Sequence, residues 1–163
     1  MRVYLDNAAT TPLDTEVFEA MKPFMLEDFG NPSSTHSHGR KVRAAIESAR
    51  KQIAELLNCT PGEIIFTSGG TEADNTIIVS GIQTYGIKHA LSTPIEHHAV
   101  MHTLEVLEKQ GTIKLHHVQI DKQGHVDLSH LEALLREFPN ALVSLMHANN
   151  EIGNLLDISK RVN

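Results

Sequence analysis

A chain of 163 residues with 40% hydrophobic and 21% charged residues has the apolar content of one folded domain, and lacks the charge imbalance of a disordered segment. Its formal net charge of −6 is spread along the chain. The densest basic stretch, Arg40, Lys41, Arg43, Arg50 and Lys51, reads as one solvated helix face, so no nucleic-acid partner is expected.

One cysteine, Cys59, excludes a disulfide framework within the chain and fits a reducing compartment. No apolar run approaches the ~20 residues of a membrane span. Met1–Asp6 leads into no long apolar region of a signal peptide, so a cytoplasmic protein with no membrane partner is expected.

In chain order, residues 1–14 read as an extended N-terminal segment punctuated by Pro12, and 15–163 as N-terminal helices followed by the first part of an α/β domain. Val17, Phe18, Met21, Phe24 and Met25 give residues 15–27 helical spacing, weakened by Pro23. Gly30-Asn31-Pro32-Ser33-Ser34-Thr35-His36 is a loop. From Ser37 to Leu57 the residues Val42, Ala45, Ile46, Ala49, Ile53, Leu56 and Leu57 recur on one helical face.

Two periods then alternate. Strands are predicted over 63–67, 90–93 and 141–147, with 112–120 extended. Helices are predicted over 71–85 (ended by Gly86), 97–110 (ended by Gly111) and 127–137 (capped by Asp127 or Ser129). This alternation predicts an α/β unit with a mostly parallel sheet. Residues 155–163 look like the start of a further helix, and a parallel sheet stopped after so few strands leaves an unpaired edge.

Four stretches could carry chemistry. Thr67-Ser68-Gly69-Gly70-Thr71-Glu72 follows a predicted strand and opens a helix, where glycines allow close approach and the N-terminal N–H groups favour a phosphate. It is neither a Walker A loop nor a dinucleotide fingerprint, and a plain glycine turn explains it equally well. Glu96-His97-His98 lies past a strand end, where open α/β sheets place ligands. His98 and His102 stand four apart on a helix, but the order His-Glu-x-x-His is absent and no cysteine is near, so no metal is expected there. His147-Ala148-Asn149-Asn150-Glu151-Ile152-Gly153 is either a site or an Asn-tolerant turn. The small residues of Tyr4-Leu5-Asp6-Asn7-Ala8-Ala9-Thr10-Thr11-Pro12 are a weak signal alone.

Together with Gly30–Ser34 and His36, these stretches resemble, in order and spacing, group I cysteine desulfurases of the NifS and IscS type, within the class V aminotransferase family. The resemblance covers essentially the whole chain but less than half of a complete family member. It implies a fold-type I transferase large domain, incomplete at its C-terminal end, that binds pyridoxal 5′-phosphate (PLP). It also implies a homodimer that converts L-cysteine to L-alanine and passes the sulfur, as a cysteine persulfide, to iron–sulfur scaffold or other sulfur-acceptor proteins. By the same resemblance, Gly70 and Thr71 hold the PLP phosphate, His97 stacks on the pyridine ring and serves in proton transfer, and Asn150 meets the phenolic oxygen. Asn7 and His36 lie near the substrate.

The family's Schiff-base lysine in Ser-x-His-Lys, its pyridine-nitrogen Asp, its carboxylate-binding Arg and its persulfide Cys have no counterpart in these 163 residues. The isolated chain is therefore expected to be inactive. A related enzyme such as a selenocysteine lyase, or a non-catalytic dimerisation module, stands as the alternative.

Overall fold

The computed structural model describes residues 1–159, which fall into two compact units divided after Phe66. The first unit is helical. Helix α1 (Thr15–Leu26) starts where the Asp14 carboxylate accepts the Glu16 and Val17 N–H groups, at 2.8 and 3.4 Å. Pro23 lies inside its last turn, where its missing N–H removes a single helical bond. The Pro23 carbonyl closes the end by accepting the N–H groups of Glu27 and Asp28.

Helix α2 (Ser37–Leu57) is capped by His36, whose Nδ1 accepts the Gly39 N–H at 3.3 Å. A Cβ on Gly39 would stand 2.4 Å from the Asn31 carbonyl oxygen and 2.5 Å from that of Ser34. Only glycine therefore lets the 30–36 loop lie flat on the first turn of α2. The apolar face predicted for α2 is only partly covered. Val42, Ile46 and Ile53 are half-buried, whereas Leu56 and Leu57 are exposed.

The strand predicted over 63–67 does not form. Pro61–Glu63 is a 3-10 turn, held by the Glu63 carboxylate on the Thr60 N–H and hydroxyl. Residues 64–66 pair with no strand among the described residues, and Ile65 remains 76% exposed. An apolar run becomes a buried strand only when a neighbour completes its hydrogen-bond ladder. Here Arg50 substitutes in part, donating to the Ile64 carbonyl and lying 4.8 Å above the Phe66 ring.

The second unit is a three-stranded parallel sheet, ordered β2-β1-β3, with β1 His89–Ser92, β2 Lys114–His117 and β3 Leu142–Ser144. Helix α3 (Gly70–Tyr85) precedes β1, α4 (His98–Lys109) joins β1 to β2, and α5 (Leu128–Glu137) joins β2 to β3. The two crossovers run in opposite directions along the sheet. Right-handed connection therefore places α4 and α5 on opposite faces.

The strand pleat splits the core accordingly. Ala90 packs with Ile78, Ile82, Val100, Leu104 and Leu115 on the α3/α4 side. Leu91 packs with Val118 and Leu131 on the α5 side. The predicted caps hold: Asp127 accepts the Ser129 and His130 N–H groups, and Gly86 closes α3 with φ 61°.

No helix begins at Leu155. Leu155 forms an antiparallel bridge to Ala148, and the Asp157 carboxylate binds the Ser159 N–H and hydroxyl in a turn. Backbone bonds from Asn149 N–H to Asn154 and from Leu156 N–H to His147 close this loop on itself. The rest of the predicted helix, 160–163, lies outside the described residues. Among the described residues no helix is long and apolar enough to cross a membrane.

Candidate functional site

The C-terminal ends of β1 and β3 lie side by side, with Ser92 paired to Ser144, so the loops that follow them meet. The Ser92 hydroxyl donates to the Ser144 carbonyl at 3.0 Å. One step further on, the half-buried Glu96 carboxylate accepts the Met146 N–H, and at 3.2 Å the Thr93 hydroxyl. Asn149, only 7% exposed, donates to the Ile95 carbonyl at 2.8 Å. Its Oδ1 accepts the Glu151 and Ile152 N–H groups at 2.9 and 3.1 Å. Glu96 and Asn149 are thus the two struts that hold the β1 loop against the β3 loop.

Helices α3 and α4 bring their first turns to each other. The Thr103 hydroxyl donates to Asn75 Oδ1 at 2.7 Å. Asn75 Nδ2 lies 2.8 Å from the Thr71 carbonyl and 3.4 Å from that of Ala99.

At the tip of α3 the N-cap is Gly69, which offers no side-chain cap, and a Cβ on Gly69 or Gly70 would meet nothing within 4 Å. The leading N–H groups of a helix have no intrahelical partners. Glu72, the acid of this first turn, is turned back onto Ser68. The Ser68 hydroxyl, and then its N–H, hold the Glu72 carboxyl below its ordinary pKa. The tip is therefore open and rich in donors, a fit for a phosphate group.

His97 is the N-cap of α4, with Nδ1 accepting the Ala99 N–H at 3.1 Å. That bond fixes the ring, and in the neutral imidazole it leaves the proton on Nε2. The ring itself is exposed. Asn150 is also exposed, with Nδ2 3.2 Å from the Glu151 carboxylate.

Gly70, Thr71, His97 and Asn150 accordingly sit on segments linked through Asn75, Glu96 and Asn149. Asn7 and His36 belong to the first unit. Asn7 lies in a turn closed by the Ala9 and Thr10 N–H groups on the Asp6 carbonyl, and His36 caps α2.

Sequence reading placed Glu96 and Asn149 within two of its candidate stretches but gave neither a role of its own. The available signal for both was position, immediately past a predicted strand end. Between the strand ends lies a cavity of about 260 Å³ lined by Thr93, Glu96, His125, Met146, Asn149 and Asp157 among others. None of the sequence-predicted site residues lines it. Among the described residues no group of three or more His, Cys, Asp or Glu side chains could hold a metal ion.

Burial pushes the Glu96 carboxyl above its ordinary pKa, against its two hydrogen bonds and aided by the nearby Asp74 carboxylate. A raised folded pKa contributes stability below the unfolded value near 4.5 and loses it as pH rises through the folded value. Glu96→Gln keeps an acceptor for Met146 and removes the charge. Its stability relative to wild type should therefore rise across that interval, as read by urea titrations on either side of it. Glu96→Ala leaves the Met146 N–H without that acceptor and should cost about 1–3 kcal/mol.

A parallel α/β unit places its ligand loops at the strand ends, and the chain belongs to the aminotransferase class-V family, whose model matches residues 3–163. It is similar to the cysteine desulfurase IscS of Dictyoglomus turgidum, with 49% identity over 161 residues, covering 97% of this chain and 40% of that protein.

Two solved structures are similar in fold. A NifS-like protein matches with TM-score 0.88 and 42% identity over 95% of this chain and 43% of its own. SspA, solved in complex with cysteine, matches with TM-score 0.82 and 34% identity over 93% of this chain and 44% of its own. The chain spans about 40% of the length of the curated relatives it matches.

Proposed function

We propose that these residues form the cofactor-holding front part of a PLP-dependent cysteine desulfurase. The observation that carries this reading is the glycine-led, uncapped tip of α3, tied through Asn75 to the turn that bears His97. Gly70 and Thr71 hold the phosphate with backbone N–H groups and the Thr71 hydroxyl. His97 lays its exposed face on the pyridine ring, and its Nε2 holds or passes a proton. The Asn150 amide donates to the phenolic oxygen. Asn7 and His36, in the first unit, are assigned to the substrate by family resemblance alone.

When bound, PLP supplies the electron sink for cleaving bonds at the substrate α-carbon. The struts Glu96 and Asn149 set the spacing of the loops that carry His97 and Asn150. The complete protein, in this reading, is a cytoplasmic homodimer. It takes L-cysteine and hands sulfur to a sulfur-acceptor or iron–sulfur scaffold protein. Similarity to proteins named cysteine desulfurase, and to one solved with cysteine, supports the substrate.

Cofactor retention by the chain tests this reading. Titration with PLP, followed by absorbance, should saturate at one per chain. Pyridoxal, which lacks the phosphate but keeps the aldehyde, should bind at least about tenfold more weakly, as the loss of charge-assisted hydrogen bonds requires. Equal affinity for the two would mean that the tip of α3 holds no phosphate.

A further inference from the structure

We propose that His98 and His102 form a two-point binding site for a borderline divalent cation such as Zn²⁺. The two residues stand one turn apart on α4, and both are exposed. Their rings are tilted by 51° with centroids 5.2 Å apart, and His98 Nδ1 lies 3.3 Å from His102 Nε2. Two imidazole nitrogens bound to tetrahedral zinc at about 2.0–2.1 Å stand about 3.3 Å apart. The pair therefore already has the bite of a chelate.

As a hydrogen bond the same contact is long, and among the described residues neither nitrogen has another hydrogen-bond partner. Binding needs both facing nitrogens as lone pairs. With the metal bound, the rings carry their protons on His98 Nε2 and His102 Nδ1. His97 is not a third ligand through Nδ1, which is engaged by the Ala99 N–H. Water fills the remaining positions, as the exposure of both rings allows. Two nitrogen donors select zinc, copper or nickel over the oxygen-seeking Mg²⁺ and Ca²⁺.

Calorimetric titration of the chain with Zn²⁺ alone tests the site. One Zn²⁺ should bind per chain at this position, and Mg²⁺ should give no saturable heat. His102→Gln should weaken Zn²⁺ binding by at least about tenfold. His98→Gln with His102→Gln should lower the stoichiometry by one, with an unchanged circular dichroism spectrum because both side chains are on the surface. His117→Gln, at an exposed histidine outside α4, should leave the site intact. Zn²⁺ binding by the His98/His102 double variant equal to that of the wild type would overturn the proposal. So would loss of the site in the His117 variant.

Discussion

Replacing Gly70 with aspartate is expected to reduce PLP affinity by about a hundredfold or more while leaving the fold at least as stable. A Cβ at Gly70 meets nothing within 4 Å, so the new side chain does not clash. Gly70 opens α3, where a carboxylate is favoured by the helix dipole by about 0.3–1 kcal/mol, and where losing glycine's freedom in the unfolded chain helps further. The same carboxylate occupies the donors proposed for the phosphate and repels it, and like charges brought together cost several kcal/mol.

The two readouts move in opposite directions, which separates a lost binding site from a damaged protein. PLP titration of the variant beside a urea melt checks both. Unchanged PLP affinity would remove the phosphate from α3.

Leu104→Ala should have the largest effect on stability. Leu104 is fully buried on α4, in the cluster that joins Ile78 and Ile82 of α3 to Ala90 and Leu115 of the sheet. Truncation removes the transfer energy of the lost atoms and leaves a cavity, together about 2–5 kcal/mol. Domains of this kind hold about 5–15 kcal/mol in total. The urea midpoint of the second unit should fall sharply with little change in slope. Val106→Ala, two residues along the same helix but 49% exposed, should stay within about 0.5 kcal/mol of wild type. Equal effects at the two positions would mean that α4 is not packed as described.

Much of this fold is legible residue by residue. Asp127 and Gly86 mark helix ends because an Asx side chain and a glycine satisfy backbone groups locally, with no help from distant chain. Pro23 is the opposite case. Its penalty depends on position, and near the end of α1 it removes one bond rather than breaking the helix. The run Ile64–Phe66 reads as a strand by composition, yet composition does not supply the partner that would make it one.

The site shows the same division. The glycines before α3 and the histidine before α4 stand out in sequence. The adjacent Asn149 and Asn150 do not differ in kind, and only the turn decides that Asn149 points in to hold Ile95 while Asn150 stays exposed. Glu96 has no role of its own in the sequence until the neighbouring strand end supplies the Met146 N–H.

By itself, then, the sequence determined α1 to α5, most strands, the glycine turn that opens α3 and, through five ordered motifs, the family. Tertiary structure alone decided the strand order β2-β1-β3, the two-sided core and the struts Glu96 and Asn149. The reason is range. Caps and periodicity act within a few residues of the chain, whereas a parallel pair such as Ser92 with Ser144 joins residues that share no local signal until the crossover helix has folded between them.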